Sequence, residues 1–195
     1  MDGAAGVVLA GGQSRRMGRP KAALPAGERS GEPTLLRDRA ALLAQVADPV
    51  WVSLPFGAPA GPGAIADTHP SLGPLAGIEG ALAQLEAAGG QWLLVLAVDM
   101  PNVPLALLWR LWSARKPGGV ALAQHPAGRL EPLVSCWHRD ARPAVSRSLA
   151  HGERAVRTAL AQLPTAVVPV ALAEAGWLAN LNTPEDWEAW RRARV

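Results

Sequence analysis

Lys21 is one of two lysines in a chain with seventeen arginines, and it closes a stretch whose residue types suit phosphate chemistry: Leu9-Ala10-Gly11-Gly12-Gln13-Ser14-Arg15-Arg16-Met17-Gly18-Arg19-Pro20-Lys21. Glycines let backbone N–H groups approach phosphate oxygens, and cations such as Arg16 and Lys21 offset the charge that collects there. The combination predicts a pocket for a nucleoside triphosphate. Its spacing is not that of other nucleotide loops. A dinucleotide fingerprint needs G-x-G-x-x-G with a helix opening inside the motif, and a P-loop needs a Gly-Lys pair. Here five residues separate Gly12 from Gly18, and Pro20 rules out a Gly-Lys pair. Pro20 also keeps Arg19 out of helix, which predicts that Lys21 sits on an extended arm able to fold back over a triphosphate.

Other candidates stand at the ends of apolar runs. Asp99 follows the run 92–98, and Pro101 stops the chain from continuing it. A carboxylate displayed there is placed to hold Mg²⁺, which takes oxygen ligands and bridges phosphates; a helix-capping aspartate is the structural alternative. Asp67 follows the short apolar pair Ile65-Ala66, in a position where a turn aspartate is equally at home. Asn180 and Asn182 precede Thr183-Pro184 and the last helical stretch, where turn chemistry alone accounts for asparagine.

These residues need a frame, and strand-like and helix-like stretches alternate to supply one. Residues 6–10, 50–54, 65–66, 92–98, 120–124, 130–137 and 166–170 read as strands. Helical spacing marks 35–46, 75–88, 104–114, 141–150, 153–163 and 184–194, the last capped by Thr183. The alternation predicts an α/β fold with a mostly parallel central sheet and helices on both faces, the run 92–98 lying at its centre. Ligands of such sheets bind beyond the carboxyl ends of strands. The stretch 11–21, Asp67 and Asp99 all follow strand ends, so they converge on one site.

The totals narrow the class. A chain of 195 residues, 49% hydrophobic and 18% charged, is expected to fold as one domain over 1–195. The net charge of +3 suits a phosphorylated ligand, but no basic run with interleaved aromatics argues for nucleic acid. The single cysteine, Cys136, permits neither an internal disulfide nor a thiolate zinc cluster. The longest apolar run, 92–98, falls well short of the roughly 18 residues of a membrane span. The start of the chain shows no charged-then-apolar leader, so a cytoplasmic location is expected. Cys136, His138, Trp187 and Trp190 read as structural.

The string L-A-G-G-x-S-x-R-M-G-x-x-K, with Leu24 after it, resembles the signature of sugar-nucleotide and cofactor nucleotidyltransferases. Within them the chain is similar to the molybdenum cofactor guanylyltransferases. The likeness runs on through Gly73-Pro74-Leu75-Ala76-Gly77-Ile78, Asp99-Met100-Pro101, Glu131-Pro132-Leu133 and Asn180-Leu181-Asn182-Thr183-Pro184-Glu185. It implies a single-domain, Rossmann-like nucleotidyltransferase fold. It further implies Mg²⁺-dependent transfer of GMP from GTP to molybdopterin, the organic part of the molybdenum cofactor, with release of pyrophosphate.

By the same resemblance Arg16, Lys21 and Asp99 serve catalysis, and Asp99 holds Mg²⁺. Leu9, Ala10, Gly11, Gly12, Lys21, Ser53, Asp67, Gly77 and Asp99 line the nucleotide, with Asp67 at the guanosine and Gly77 leaving room for base and ribose. Asn180 and Asn182 face the pterin-side substrate. The substrates implied are GTP and the cofactor, and the link to molybdenum enzymes implies hand-over partners in their maturation. The chain departs from the family pattern at three positions. Val98 stands where Cys is usual, and Glu131 where Gln or His is common. Ser53 stands where Asn is frequent, and a hydroxyl replaces the paired donor and acceptor of an amide. That last change keeps open a related enzyme using CTP, or one with a sugar or polyol phosphate acceptor. A non-catalytic nucleotide-binding or cofactor-carrier protein on the same fold is the alternative from another class.

Overall fold

Residues 1, 3–11, 20–26, 33–54, 61, 63–66 and 73–193 of the chain are described by a computed structural model. Its strands are β1 (Ala4–Leu9), β2 (Val50–Leu54), β3 (Ala64–Ala66), β4 (Trp92–Ala97), β5 (Val120–Gln124), β6 (Leu130–His138) and β7 (Thr165–Pro169). The helices are α1 (Leu35–Leu43), α2 (Pro74–Ala87), α3 (Leu105–Ala114), α4 (Arg142–Ala150), α5 (Val156–Leu160) and α6 (Pro184–Arg192). The strands form one seven-stranded sheet in the order β3-β2-β1-β4-β6-β5-β7. Pairing is parallel between β1 and β2, β1 and β4, β2 and β3, and β5 and β7. Strand β6 runs antiparallel to both its neighbours, β4 and β5. The expected mostly parallel sheet is therefore present, with one reversed strand.

The reversal follows from local chemistry. Only five residues link β5 to β6, too few for the helical crossover that a parallel neighbour needs. Gly128 takes φ +83°, the left-handed conformation that glycine adopts at no steric cost, and the chain turns back there.

Strands β1 and β4 are buried along their full length, as expected of strands covered on both faces. Alternation splits their side chains between two cores. Ala4, Val8, Leu94 and Leu96 pack with Leu35 and Leu43 of α1, Leu107 and Leu111 of α3, and Trp187 and Trp190 of α6. Ala5, Val7, Leu9, Leu93 and Val95 pack with Leu75, Ile78 and Leu82 of α2, Val145 of α4 and Leu160 of α5.

Two expectations for local structure are corrected. The helix expected over 153–163 is only Val156–Leu160: Gly152 is left-handed at φ +75°, Ala155 is extended, and Leu163 precedes Pro164. A 3-10 helix over Leu172–Leu178, which apolar periodicity does not signal, links β7 to the last segment. Arg110 of α3 fastens it through two hydrogen bonds to Glu174, 2.7 and 2.6 Å. Among the described residues no helix is long and apolar enough to cross a membrane.

Candidate active site

The carboxyl ends of β1, β2 and β4 are tied together. Ala10 N–H donates to Ser53 C=O (3.1 Å) and Val98 N–H to Leu9 C=O (3.2 Å). From β1 the chain passes to β2 and β3 on one side, while β4 lies on the other. The β1/β4 boundary is thus a topological switch point, where successive connections diverge and leave a crevice.

Lys21 and Asp99 meet at this crevice. Arg19 lies outside the described residues, and Lys21 opens a single 3-10 turn, Lys21–Ala23, rather than the expected extended arm. The turn closes through Leu24 N–H to Lys21 C=O (3.1 Å), and Leu24 itself is buried. Leu35 N–H donates to Leu24 C=O (2.8 Å) and Ala26 N–H to Pro33 C=O (2.9 Å), which fastens the turn to the start of α1. From this anchored position Lys21 Nζ donates to Asp99 Oδ2 at 2.9 Å and to Asn182 Oδ1 at 3.1 Å. The Lys21 and Asp99 side chains are 14% and 25% exposed, so the pair is partly shielded yet open to a ligand.

The last segment completes the arrangement. Leu181 N–H donates to Asp99 C=O (2.8 Å), which lays residues 180–183 against the end of β4. Thr183 caps α6 as expected: its hydroxyl accepts from Asp186 N–H at 3.1 Å. The Asp186 carboxylate accepts in return from Asn182 N–H and Thr183 N–H, both at 2.9 Å. Those backbone donors, with the hydroxyl of Thr183 and the positive charge of Lys21, hold the Asp186 carboxyl below the ordinary aspartate value. Asn180 lies two residues upstream of Asn182, partly buried, and joins no hydrogen bond of this group among the described residues.

Trp187 and Trp190 are buried as the sequence suggests, but they also bridge the site's supports. Trp187 Nε1 donates to Pro25 C=O (3.1 Å), and Trp190 Nε1 donates to Asn102 Oδ1 (2.6 Å). Helix α6 thereby joins the segment carrying Lys21 to the loop carrying Asp99. Asn102 is a supporting residue that sequence reasoning misses. Its signal is its place three residues beyond Asp99, but its partner is 88 positions away.

Gly77 sits at a close helix–sheet contact. A Cβ there would overlap Ser53 Oγ and approach Leu9 Cδ2 to 3.1 Å. The Cβ direction at Gly77 is filled by Ser53 and Leu9, so the absence of a side chain lets α2 close on β1 and β2. Ser53 is buried at this contact, and Gly11 is exposed where the chain leaves β1. Gly12, Arg16 and Asp67 lie outside the described residues. Burial pushes the Cys136 thiol up to about 12. His138 is buried too, with its ring 4.6 Å from that of Trp92, in keeping with structural roles for both. Glu131 is buried and paired with Arg129.

The donor set around Asp99 fits a metal that arrives with its ligand. No group of three or more His, Cys, Asp or Glu side chains that could cage a metal occurs among the described residues. A single partly exposed carboxylate would leave most oxygen positions of a divalent metal to a ligand's own phosphates.

Residues 6–167 match the model of the MobA-like NTP transferase domain. A molybdenum cofactor guanylyltransferase from Xanthomonas euvesicatoria pv. vesicatoria is 38% identical over 188 residues, covering 93% of this chain and 91% of its own. The solved structure of molybdopterin-guanine dinucleotide biosynthesis protein A from Archaeoglobus fulgidus superposes with a TM-score of 0.79 at 22% identity, over 97% of this chain and 98% of that one. The structure of 2-C-methyl-D-erythritol 4-phosphate cytidylyltransferase from Thermus thermophilus gives a TM-score of 0.66 at 25% identity, over 97% and 98%.

Proposed function

This chain belongs to the MobA-like NTP transferase family and is a nucleotidyltransferase of molybdenum cofactor biosynthesis, and we propose that it transfers GMP from GTP to molybdopterin. The observation that carries this reading is the Lys21–Asp99 pair, 2.9 Å apart at the switch point of the sheet. It joins a cation for phosphate oxygens to a carboxylate for a divalent metal. A terminal phosphate oxygen of the acceptor attacks the α-phosphorus of GTP. The new O–P bond forms as the bond to the β-phosphate bridge breaks, and the electron pair leaves with pyrophosphate. Phosphate is a competent nucleophile at neutral pH, so no side-chain nucleophile is required. Catalysis is positioning and charge stabilisation.

In this reading Lys21 neutralises the triphosphate and the departing pyrophosphate, and Arg16 adds charge to the same loop. Backbone N–H groups at Gly11 and Gly12 face phosphate, with Leu9 and Ala10 leading into that loop, and Asp67 meets the guanosine. Asp99 would hold Mg²⁺, which would supply positive charge to the phosphates. Ser53 and Gly77 shape the floor beneath the nucleotide by their mutual contact. Asn180 and Asn182 serve the pterin side. Hand-over proteins that supply or accept the cofactor belong to the same reading.

The test is pyrophosphate release with GTP, Mg²⁺ and molybdopterin. Lys21→Ala is expected to lower turnover by about 10²-fold or more, the scale of losing a group aimed at developing charge, with the fold retained. Asp99→Asn is expected to remove metal-dependent activity. Near-normal release by Lys21→Ala refutes the role of Lys21. Transfer from CTP is the second reading, and Ser53 favours it by offering a hydroxyl where guanine would be matched by an amide. Preferential thermal stabilisation by CTP over GTP would select it.

A further inference from the structure

We propose that Asp186 is a positioning residue for the acceptor: its carboxylate fixes the peptide of Asn182, so that the Asn182 amide is held on Lys21 with its NH₂ directed to an anionic oxygen of the second substrate. The proposal rests on the acceptor-side reading of Asn182 given above.

A helix N-terminus accounts for only part of what Asp186 does. In a capping box the N-cap hydroxyl meets the backbone N–H three residues on, and the side chain there returns a bond to the N-cap N–H. Thr183 and Asp186 make both bonds. The same Asp186 oxygen also accepts from Asn182 N–H at 2.9 Å, and Asn182 lies outside the helix. That third bond is not needed to start α6. Its effect is on the loop. Leu181 N–H is tied to Asp99 C=O at 2.8 Å, and the next N–H, that of Asn182, is tied to Asp186. With consecutive amides anchored to the sheet and to the helix, the backbone from which the Asn182 side chain departs is held on both sides.

Lys21 then sets the sense of the amide. An ammonium group only donates, so the Asn182 group facing it must be its oxygen, as the 3.1 Å contact has it. The nitrogen remains as a two-proton donor beside the Lys21–Asp99 pair. A donor with a charged neighbour suits a phosphate oxygen. A row of bonds runs from Asp99 to Asp186: Lys21 donates to Asp99 and to the Asn182 side-chain oxygen, and the Asn182 N–H donates to Asp186. The charge of Lys21 is felt at Asp186, alongside the backbone donors that hold its carboxyl low.

The test compares Asp186→Asn, Asp186→Glu and Thr183→Ala. In the ligand-free protein, the ¹⁵N–¹H side-chain amide pair of Asn182 is expected to move toward averaged positions in Asp186→Asn. It stays in place in Thr183→Ala, although both variants weaken the cap and lower the melting temperature. In turnover, Asp186→Asn is expected to raise the KM for molybdopterin by about fivefold to tenfold with the KM for GTP changed less than about twofold, the pattern of lost acceptor binding. Asp186→Glu restores part of the difference, and Thr183→Ala does not show it. An unmoved Asn182 amide in Asp186→Asn, or the same behaviour from Asp186→Asn and Thr183→Ala, overturns the proposal and leaves Asp186 as a helix cap. The spectral comparison needs no turnover. A wild-type protein inactive with GTP and molybdopterin therefore refutes the function while the amide resonances still decide the role of Asp186.

Discussion

Lys21 occupies the position on Asp99 that a divalent ion would take, and this sets up a change of sign between two binding measurements. A metal arriving alone must displace the ammonium group, which sits 2.9 Å from Asp99 Oδ2 with the two side chains 14% and 25% exposed. Unit charges about 4 Å apart attract by about 4 kcal/mol at an effective dielectric constant of 20, but solvated pairs retain only about 1 kcal/mol after screening and side-chain entropy. The partial shielding here places the coupling near the upper end of that screened value. At about 1.4 kcal/mol for each factor of ten, Lys21→Met should tighten the binding of Mn²⁺ alone by about fivefold to tenfold. Removing the ammonium also removes its repulsion of the incoming ion, which acts in the same direction. With GTP present the sign reverses: the triphosphate loses its cation, and the Mn²⁺–GTP complex binds the variant more weakly than wild type. Free Mn²⁺ is read by electron paramagnetic resonance and the nucleotide complex by calorimetry, both at low ionic strength, with Asp99→Asn as the variant that loses metal binding. Equal or weaker binding of Mn²⁺ alone to Lys21→Met would refute the reasoning, because the ion pair would then not compete with the metal.

Gly77→Ala should destabilise the fold by about 1–3 kcal/mol, the usual range for overpacking, because the new Cβ overlaps Ser53 Oγ and crowds Leu9. Urea denaturation should show a smaller loss when the substitution is made in a Ser53→Ala background, and equal losses in the two backgrounds would remove Ser53 as the obstruction. Cys136 is buried, with its thiol pushed up to about 12, so almost none of it is thiolate near pH 8. A chromogenic disulfide reagent should therefore leave the folded protein unlabelled at pH 8 and label it once urea unfolds it; prompt labelling under native conditions would contradict the burial.

What is legible in the sequence is local. Apolar runs closed by Asp99-Met100-Pro101 or by Gly11 announce strand ends, because a change from buried to turn-forming residues occurs within a few positions. Thr183 announces a helix start in the same way, since its partner, Asp186, is three residues on. Periodicity also assigns β1 and β4 to the interior. It assigns no neighbours. That Lys21 reaches Asn182 across 161 positions follows from the order of strands and from α6 folding back, neither of which any short window encodes. The reversal of β6 is legible in the short link through Gly128, but its place between β4 and β5 in the sheet is not. Gly77 is ambiguous for a related reason: a small residue there suits an open pocket and a close helix–sheet contact equally well, and its contact with Ser53 appears only in the fold.

The site's location follows from these long-range ties. At the boundary of β1 and β4 the connections diverge to form the two walls of the crevice, although the strands beneath are bonded to each other as far as Val98 N–H to Leu9 C=O. Lys21 and Asp99 stand on those walls beyond the paired strand ends, and any element that joins the walls helps to keep them in register. Helix α6 does so, with Trp187 bonded to Pro25 on the Lys21 side and Trp190 bonded to Asn102 on the Asp99 side. The segment leading into it is bonded to Asp99 through Leu181 and to Lys21 through Asn182. Chemistry that depends on positioning charge around a phosphorus atom, with no covalent intermediate to hold the partners, needs walls fixed relative to each other. The last helix therefore supports the proposed site from the Lys21 side and from the Asp99 side alike.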